Sequence, residues 1–434
     1  MPDILIENVT LPDGRRTSLG IRGPRLAEVS ELTRPRVIDA TGLVALPGLV
    51  DLHTHLREPS PSPAETIDTG TAAAARGGYT AVFAMANTDP VTDTAERVRH
   101  VISLSRAAHA EVIPVGAVTT GLGGLELSAI EAMNTEGVIY FSDDGRCVMD
   151  AAIMREALMR VRGFGGMIGQ HSQDHNLAGD SACLPDRHSQ PDLGAWPGVA
   201  PWTGMPPSTE WPRVAEAAIV ARDVQLARDT GAHVHVCHVS TAESVEVIRW
   251  AKARHIPVTA EVTPHHLLLG ENCLAGLDTT FKVNPPLRGP EDQAALRRGL
   301  AEGIIDVVAT DHAPHLPSDK AKPFPLAKPG MVGLEWALAV VIETMVKPGL
   351  LDWSGVADRM SEAPARIGQI ANRQGRPLAP GEPATLTLVD PTRRSVVDKE
   401  KSPSLGRNNP YHGLELPDPV LATFWAGQAT FVSE

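Results

Sequence analysis

Short apolar, β-branched segments recur along the chain, and each is followed by a segment whose apolar residues have helical spacing. This alternation is typical of a parallel sheet covered by helices. The predicted strands are residues 48–55, 79–85, 111–118, 137–143, 166–171, 233–240, 257–264 and 305–315. Because eight parallel strands close a (β/α)8 barrel, the pattern predicts an α/β protein with this fold.

The amphipathic segments between the strands predict the helices that cover the barrel. They are residues 64–77, 94–108, 150–163, 213–231, 242–255 and 291–303. Several of them end in glycine, which helix C-termini favour.

The two ends of the chain have a different pattern. Residues 1–45 and 375–434 contain short strand-like pieces separated by turn residues. Neither end is long enough to form a good core alone, so we expect them to pair into one small β-sandwich domain. The predicted domains are therefore 1–45 with 375–434, and a barrel over 46–374.

Two segments without periodicity are predicted loops. Residues 180–212 are rich in Pro, Gly and Trp, and residues 316–330 follow the last predicted strand. Loops this long are uncommon in compact domains and are often functional. A functional role and a plain surface excursion are both open for the first loop, and the second is placed to close over a site.

Composition and charge exclude several classes of partner. The chain has 39 basic and 52 acidic residues and a formal charge of −13, which argues against nucleic acid or an anionic membrane. The four cysteines form no CxxC pair, which favours reduced, buried thiols. The N-terminus lacks a signal-peptide pattern and no apolar stretch has membrane-spanning length, so we expect a cytoplasmic protein.

Polar side chains collect at the carboxyl ends of the predicted strands, where barrel enzymes place their active sites. These residues are His53, His55, Asp143, Asp144, His171, His238 and Asp311. Each one alone has a structural explanation, such as a hydrogen-bonded buried imidazole or a capping carboxylate. Together, imidazoles and carboxylates without a required thiolate indicate a site for zinc or a similar divalent ion.

Several motifs resemble those of the type I bacterial dihydroorotases, within the amidohydrolase superfamily. They are DLHTHLREP, MANTDP, FSDDG, AEVTPHHLLL, NPPLR and ATDHAPH, and the resemblance covers nearly the whole chain. It implies a (β/α)8 barrel hydrolase that interconverts N-carbamoyl-L-aspartate and (S)-dihydroorotate in de novo pyrimidine biosynthesis. The implied cofactor is zinc, with one or two ions per subunit and a binuclear centre expected.

The resemblance also implies roles for the strand-end residues. His53 and His55 with Asp311 would bind one ion, His171 and His238 the other, and Asp144 would bridge them, with Asp143 as a supporting neighbour. The nucleophile would be a metal-bridging hydroxide, since divalent ions lower the pKa of bound water from 15.7 to about 7. Asp311 would be the general acid and base, unless it is a ligand only.

The residues implied for substrate binding surround the same strand ends. They are His55, Arg57, Asn87, Asn284, His315, Pro329 and Gly330. Arg57 suits the substrate carboxylate because a guanidinium offers a forked donor. The resemblance assigns no ligand role to four further histidines, which we interpret as barrel-lining or supporting groups: His233, His235, His265 and His266.

This chain has no lysine before residue 252, which distinguishes it from relatives whose metal ions are bridged by a lysine. Hydantoinases, dihydropyrimidinases and allantoinases resemble it but bridge their metals with a carbamylated lysine at strand four, and the first lysine here is Lys252. A carboxylate bridge is therefore favoured. The chain departs from the family at Gln173, where an acidic residue is usual, at Ser60, where glycine is usual, and in the segment 172–212.

Two other functions remain open at this point. A paralogue could act on another cyclic ureide or hydantoin, which the divergent 172–212 segment favours. A dihydroorotase-like scaffold subunit for aspartate carbamoyltransferase should have lost metal ligands, whereas this chain keeps all six. An active chain could still bind aspartate carbamoyltransferase, and a homodimer is expected.

Overall fold

The computed structural model describes residues 2–179, 184–185 and 210–433. Most of the predicted loop 180–212, including Cys183, lies outside these residues. Of the other cysteines, Cys147 and Cys237 are buried free thiols, as predicted, and Cys273 is half-buried.

The strands are numbered in chain order. The N-terminal flank forms β1 (Ile4–Thr10), β2 (Arg16–Arg22), β3 (Arg25–Ala27), β4 (Arg36–Asp39) and β5 (Val44–Pro47). The central region forms β6 (Leu49–Thr54), β7 (Tyr79–Ala84), β8 (Glu111–Pro114), β9 (Tyr140–Ser142), β10 (Met167–Gln170), β11 (Leu184–Pro185), β12 (Glu210–Trp211), β13 (His233–Val236), β14 (Val258–Val262) and β15 (Val307–Val308). The C-terminal flank forms β16 (Leu386–Val389), β17 (Arg394–Val396), β18 (Glu415–Pro417), β19 (Val420–Trp425) and β20 (Gln428–Val432).

The helices follow the strands of the barrel. They are α1 (Ile67–Arg76), α2 (Ala95–Leu104), α3 (Ile130–Thr135), α4 (Ala151–Arg162), α5 (His175–Ala178), α6 (Arg213–Thr230), α7 (Ala242–Lys252), α8 (Pro264–Leu268), α9 (Pro290–Ala301), α10 (Pro317–Lys320), α11 (Ala337–Val341), α12 (Trp353–Ala357) and α13 (Ala363–Ile367). All six predicted helices are confirmed. Side chains of Thr66, Thr94, Asp150 and Thr241 cap four of them at the N-terminus.

Parallel pairing confirms the predicted barrel. β6, β7 and β8 form one parallel set, and β9, β10, β13, β14 and β15 form another. Parallel bridges between Gly116 and Phe141, and between Thr54 and His312, join the two sets into a ring. The barrel interior is filled by apolar side chains that include Val50, Phe83, Tyr140, Met167 and Val307.

The last predicted strand is much shorter than expected. Residues 305–315 were expected to be extended, yet β15 contains only Val307 and Val308. Asp311 has a left-handed backbone conformation, with φ of +46°, and a strand cannot continue through such a residue. Regular pairing is therefore interrupted at Asp311, and the next residue, His312, forms the parallel bridge to Thr54.

The two flanks combine into one β domain, as predicted, whereas the expected β-sandwich packing stays a prediction. Eight of their strands form one sheet in the order β20-β19-β16-β5-β1-β2-β3, with β4 beside β1, and β17 pairs with β18 in a separate two-stranded sheet. The two flanks meet where β5 pairs antiparallel with β16, through Leu46 and Thr387. Because β5 ends at Pro47 and β6 starts at Leu49, sheet and barrel adjoin directly. The domain limits 1–45, 46–374 and 375–434 stay a prediction.

None of the helices in the described part of the chain has the length and apolar character needed to cross a membrane.

Candidate active site

Two histidines and two aspartates converge at the carboxyl end of the barrel. His53 lies near the end of β6 and His55 follows it, Asp144 follows β9, and Asp311 follows β15. His55 Nε2 lies 2.9 Å from Asp311 Oδ1 and 3.3 Å from Asp144 Oδ2. His53 Nε2 lies 3.3 Å from the same Asp144 oxygen and 3.5 Å from Asp311 Oδ1. All four residues are buried.

Asp144 also faces a second pair of histidines with its other oxygen. Its Oδ1 lies 3.3 Å from His171 Nδ1 and 3.1 Å from His238 Nε2. These two ring nitrogens are 2.9 Å from each other. The Asp144 carboxylate therefore lies between two clusters of possible ligand atoms, with one oxygen directed to each.

The two aspartates of the FSDDG motif, Asp143 and Asp144, have different environments. Asp143 accepts hydrogen bonds from the Val118 N–H at 2.8 Å and the Thr119 N–H at 3.0 Å, and from the Thr119 hydroxyl. It thereby holds the chain after β8 against the end of β9. The structure places Asp144 in the cluster and Asp143 beside it, as expected.

The donor set fits a divalent cation. Neighbouring ligands around a tetrahedral ion with bonds of 2.0–2.1 Å are about 3.3 Å apart, and the separations here are 2.9–3.5 Å. His53 Nε2 is buried and makes no hydrogen bond within the described residues, although it points at two carboxylates. Imidazole and carboxylate donors are those that zinc and similar ions prefer.

The charges of the cluster also fit a bound cation. Burial opposes protonation of His53, yet the carboxylates of Asp144, Glu261 and Asp311 raise its pKa well above the usual value. Burial raises the pKa of Asp144, but His53 and the other histidines outweigh this effect and hold that pKa well below its usual value. The site concentrates negative charge where water is excluded, and a cation would balance that charge.

Glu261 is a functional candidate that sequence reasoning missed. It is fully buried on β14, its Oε1 lies 2.5 Å from His53 Nδ1, and its Oε2 lies 3.0 Å from His235 Nε2. Despite burial, these histidines lower the pKa of Glu261 to about 2, so it is a carboxylate. A carboxylate on one ring nitrogen directs the other nitrogen toward a metal. The available signal was an acidic residue within the otherwise apolar strand of AEVTP.

Gln173 supports the second pair of histidines with a neutral group. Its Oε1 lies 2.9 Å from His171 Nε2 and accepts a hydrogen bond from Asn284 Nδ2, also at 2.9 Å. When His171 donates through Nε2, its Nδ1 is free to face Asp144. The departure from the usual acidic residue therefore changes the charge behind His171 and keeps the hydrogen bond.

Three residues of the site have strained backbone conformations. Arg57, His238 and Asp311 have φ values of +66°, +34° and +46°, in the left-handed region that non-glycine residues rarely adopt. Such conformations persist where the surrounding structure imposes them, often at functional sites. Ser60 has no such conformation, so serine in place of the usual glycine causes no strain at this position.

The implied carboxylate-binding residues lie beside the first cluster. Asn87 Oδ1 is 2.8 Å from His55 Nδ1, and Arg57 Nε donates to the Pro314 carbonyl at 3.1 Å. Burial lowers the pKa of Arg57 to about 10, so it stays charged at neutral pH. Burial and the nearby Arg57 lower the pKa of His315 to about 2, so this imidazole is neutral.

The backbone at Pro329 and Gly330 already has protein partners. The Pro329 carbonyl lies 2.7 Å from His315 Nε2, and the Gly330 N–H donates to the Lys282 carbonyl at 2.9 Å. The buried Lys282 ammonium donates to the Phe324 carbonyl at 2.8 Å. The loop 316–330 is thus fixed against the chain that carries Asn284, and the substrate role of its backbone stays a prediction.

The four remaining histidines have supporting positions, as interpreted from the sequence. His233 and His235 both contact Thr259 Oγ1 on β14, at 2.7 and 2.8 Å. His265 and His266 are buried in α8, where His266 Nδ1 lies 2.7 Å from Thr263 Oγ1.

Comparison with known proteins places these residues in a family context. A family model described as Dihydro-orotase-like matches residues 42–244. A relative from Streptomyces coelicolor named dihydroorotase is 53% identical over 91% of this chain and 90% of its own length. Relatives of the same name from Mycobacterium tuberculosis and Bacillus subtilis are 48% and 39% identical, each over 96% of this chain and 95% of its own length.

Solved structures share the fold at low sequence identity. Dihydropyrimidinase from Brevibacillus agri is 23% identical with a TM-score of 0.82, over 98% of this chain and 94% of its own. L-hydantoinase from Arthrobacter aurescens is 23% identical with a TM-score of 0.84, over 99% and 96%. At this identity the likeness establishes the fold alone.

We expect Glu261→Gln to weaken divalent-cation binding, assayed with zinc, by about 10- to 100-fold, because an amide replaces the carboxylate that orients His53. The measurement is the zinc retained by the purified protein after dialysis against a graded series of chelator concentrations. Glu216→Gln is the matched control, since Glu216 is also a buried carboxylate but accepts hydrogen bonds from Ser240 and Thr241. Equal zinc retention by both variants would contradict the assigned role.

Proposed function

The chain belongs to the dihydroorotase family, and on that premise we propose that its buried histidine and aspartate clusters form a binuclear zinc centre. The protein is a metal-dependent hydrolase of a cyclic amide C–N bond. The observation that carries the binuclear proposal is the position of Asp144, whose two oxygens lie 3.1–3.3 Å from two separate pairs of histidine nitrogens. We assign His53, His55 and Asp311 to one ion and His171 and His238 to the other.

The reaction we propose is the reversible hydrolysis of (S)-dihydroorotate to N-carbamoyl-L-aspartate. When bound, divalent ions at this site supply Lewis acidity for the amide carbonyl and for the attacking water. In the hydrolytic direction the water oxygen bonds to the carbonyl carbon, the ring C–N bond breaks, and a proton reaches the departing nitrogen.

We assign the proton transfer to Asp311. Its Oδ1 lies within 2.9 Å of His55 Nε2, so it is held at the cluster where the water must be activated. Burial raises the pKa of Asp311, but His53 and His55 outweigh this effect and lower it below the usual value. The carboxylate is therefore ionised and can accept a proton. It returns that proton to the ring nitrogen, and the roles reverse when the ring closes.

The polar groups around the metal cluster match the ends of this substrate. Arg57 is charged and half-buried and donates to the Pro314 carbonyl, one residue before His315, so we propose that it binds the substrate carboxylate. The Nδ2 of Asn284 donates to Gln173 Oε1. The Oδ1 of the same side chain is buried and has no hydrogen-bond partner in the described residues. We propose that this oxygen accepts from a ring N–H of the substrate.

The alternative functions are not favoured. Relatives spanning nearly the whole chain are named dihydroorotase, at 39–53% identity. The six expected ligands also converge, whereas a scaffold subunit should have lost them. The substrate is a small molecule.

We propose on the resemblance alone that the protein is a cytoplasmic homodimer that can bind aspartate carbamoyltransferase.

We expect zinc-reconstituted protein to hydrolyse dihydroorotate in preference to dihydrouracil, hydantoin and allantoin, because Arg57 needs a carboxylate partner. Turnover of all four compounds is measured in parallel under the same conditions. Asp311→Asn is the control, and we expect it to lose at least about 100-fold in kcat. Activity confined to the three rings without a carboxylate would refute the proposed substrate.

We expect Arg57→Lys to raise the KM for dihydroorotate by about tenfold, because a point charge replaces a forked donor. Steady-state kinetics with dihydroorotate provide the measurement. Arg99→Lys is the control, since Arg99 is exposed on α2 and pairs with Glu136. If Arg57→Lys leaves KM at the parental value, Arg57 does not bind the substrate carboxylate.

A further inference from the structure

The C-terminal flank returns to the mouth of the barrel through residues 404–411, between β17 and β18. Asn408 in this segment is buried, and its side chain bonds to backbone groups of two other segments. Its Oδ1 accepts from the His315 N–H at 3.1 Å, and its Nδ2 donates to the carbonyls of Ala313 at 2.8 Å and Gly330 at 3.0 Å. One carboxamide therefore ties the chain after β15 to the end of the loop 316–330.

The backbone of the same residue adds a fourth connection. The Asn408 carbonyl accepts from the Val332 N–H at 3.2 Å. Beside it, Gly406 packs so closely that an added Cβ would lie 2.6 Å from Val332 Cγ1 and 2.7 Å from Pro314 Cβ. The segment is thus pressed against both neighbouring segments, and only glycine fits at position 406 without a shift of its neighbours.

This segment is also anchored to the metal cluster side of the barrel. The buried Glu65 carboxylate accepts from the Leu405 N–H at 3.0 Å and from the Ser404 hydroxyl. The same carboxylate lies 3.2 Å from His312 Nε2, one residue after Asp311. The segment that carries Asn408 is therefore also held by Glu65, which contacts the chain after β15 at His312.

The two segments that Asn408 joins carry the proposed binding groups for the substrate carboxylate. His315 belongs to one of them, and Arg57 donates to the Pro314 carbonyl of that same segment. Pro329 and Gly330 belong to the other. The two segments also contact each other directly, because the Ala313 N–H donates to the Met331 carbonyl at 2.8 Å and His315 Nε2 lies 2.7 Å from the Pro329 carbonyl. Asn408 adds three side-chain hydrogen bonds to these contacts, next to the groups proposed to bind the substrate carboxylate.

We propose that Asn408 is a positioning residue that sets the carboxylate-binding side of the active site. The proposal rests on the proposed dihydroorotase function. It gives the C-terminal flank a part in substrate binding. Because Asn408 contacts none of the proposed metal ligands in the described structure, the proposal predicts a change in KM with little change in kcat.

The test compares Asn408→Asp with Asn409→Asp in the full-length, zinc-loaded enzyme. Both exchange a buried amide for a carboxylate at adjacent positions. Asn409 Oδ1 accepts from the Tyr411 N–H at 2.9 Å, and its Nδ2 makes no hydrogen bond within the described residues, so this control leaves the two loops untouched. Asn408→Ser is a third variant, which removes the donors without adding a charge.

We expect Asn408→Asp and Asn408→Ser to raise the KM for dihydroorotate at least about tenfold, with kcat within about threefold of the parent and zinc content unchanged. Asn409→Asp should keep the parental KM. Parental KM in both Asn408 variants, an equal rise in Asn409→Asp, or a loss confined to kcat or to zinc content would overturn the proposal. A parent enzyme that does not turn over dihydroorotate would instead refute the proposed function on which it rests.

Discussion

The site depends on one buried carboxylate that is shared between two pairs of imidazoles. Asp144 directs Oδ2 toward His53 and His55 and Oδ1 toward His171 and His238, at 3.1–3.3 Å. An unbalanced charge at this depth costs several kcal/mol, so the carboxylate requires positive charge on both sides. Protonated histidines meet that need in part, and the two divalent ions of the proposed centre would meet it fully.

The rest of the barrel mouth keeps these few atoms in position. Glu261 orients His53 through a 2.5 Å contact, Gln173 orients His171, and Asp143 fixes the strand end that carries Asp144. The support reaches outward to the C-terminal flank, where Asn408 joins the segments around the proposed carboxylate site. The site in the barrel therefore depends on residues that are far apart in the sequence, including one from the C-terminal flank.

Periodicity was enough to predict the barrel, its six long helices and the joined flanks, because burial sets those patterns locally. The candidate ligands were also predictable, since parallel strands bring their carboxyl ends together. Other features have no local signal. The register of β6 against β7 shifts between Asp51 and Thr54, so strict alternation does not hold there. The five residues of α11 are all buried and show no amphipathic period, and Glu261 and Asn408 acquire their roles only through distant contacts.

The most direct test of the shared carboxylate is a crystal structure of the zinc-loaded protein with anomalous diffraction measured at the zinc edge. The account predicts two zinc peaks, one bound by His53, His55 and Asp311 and one by His171 and His238. Asp144 should contribute one oxygen to each ion at 2.0–2.2 Å. A single peak at full zinc occupancy, or two peaks of which only one contacts Asp144, would contradict it.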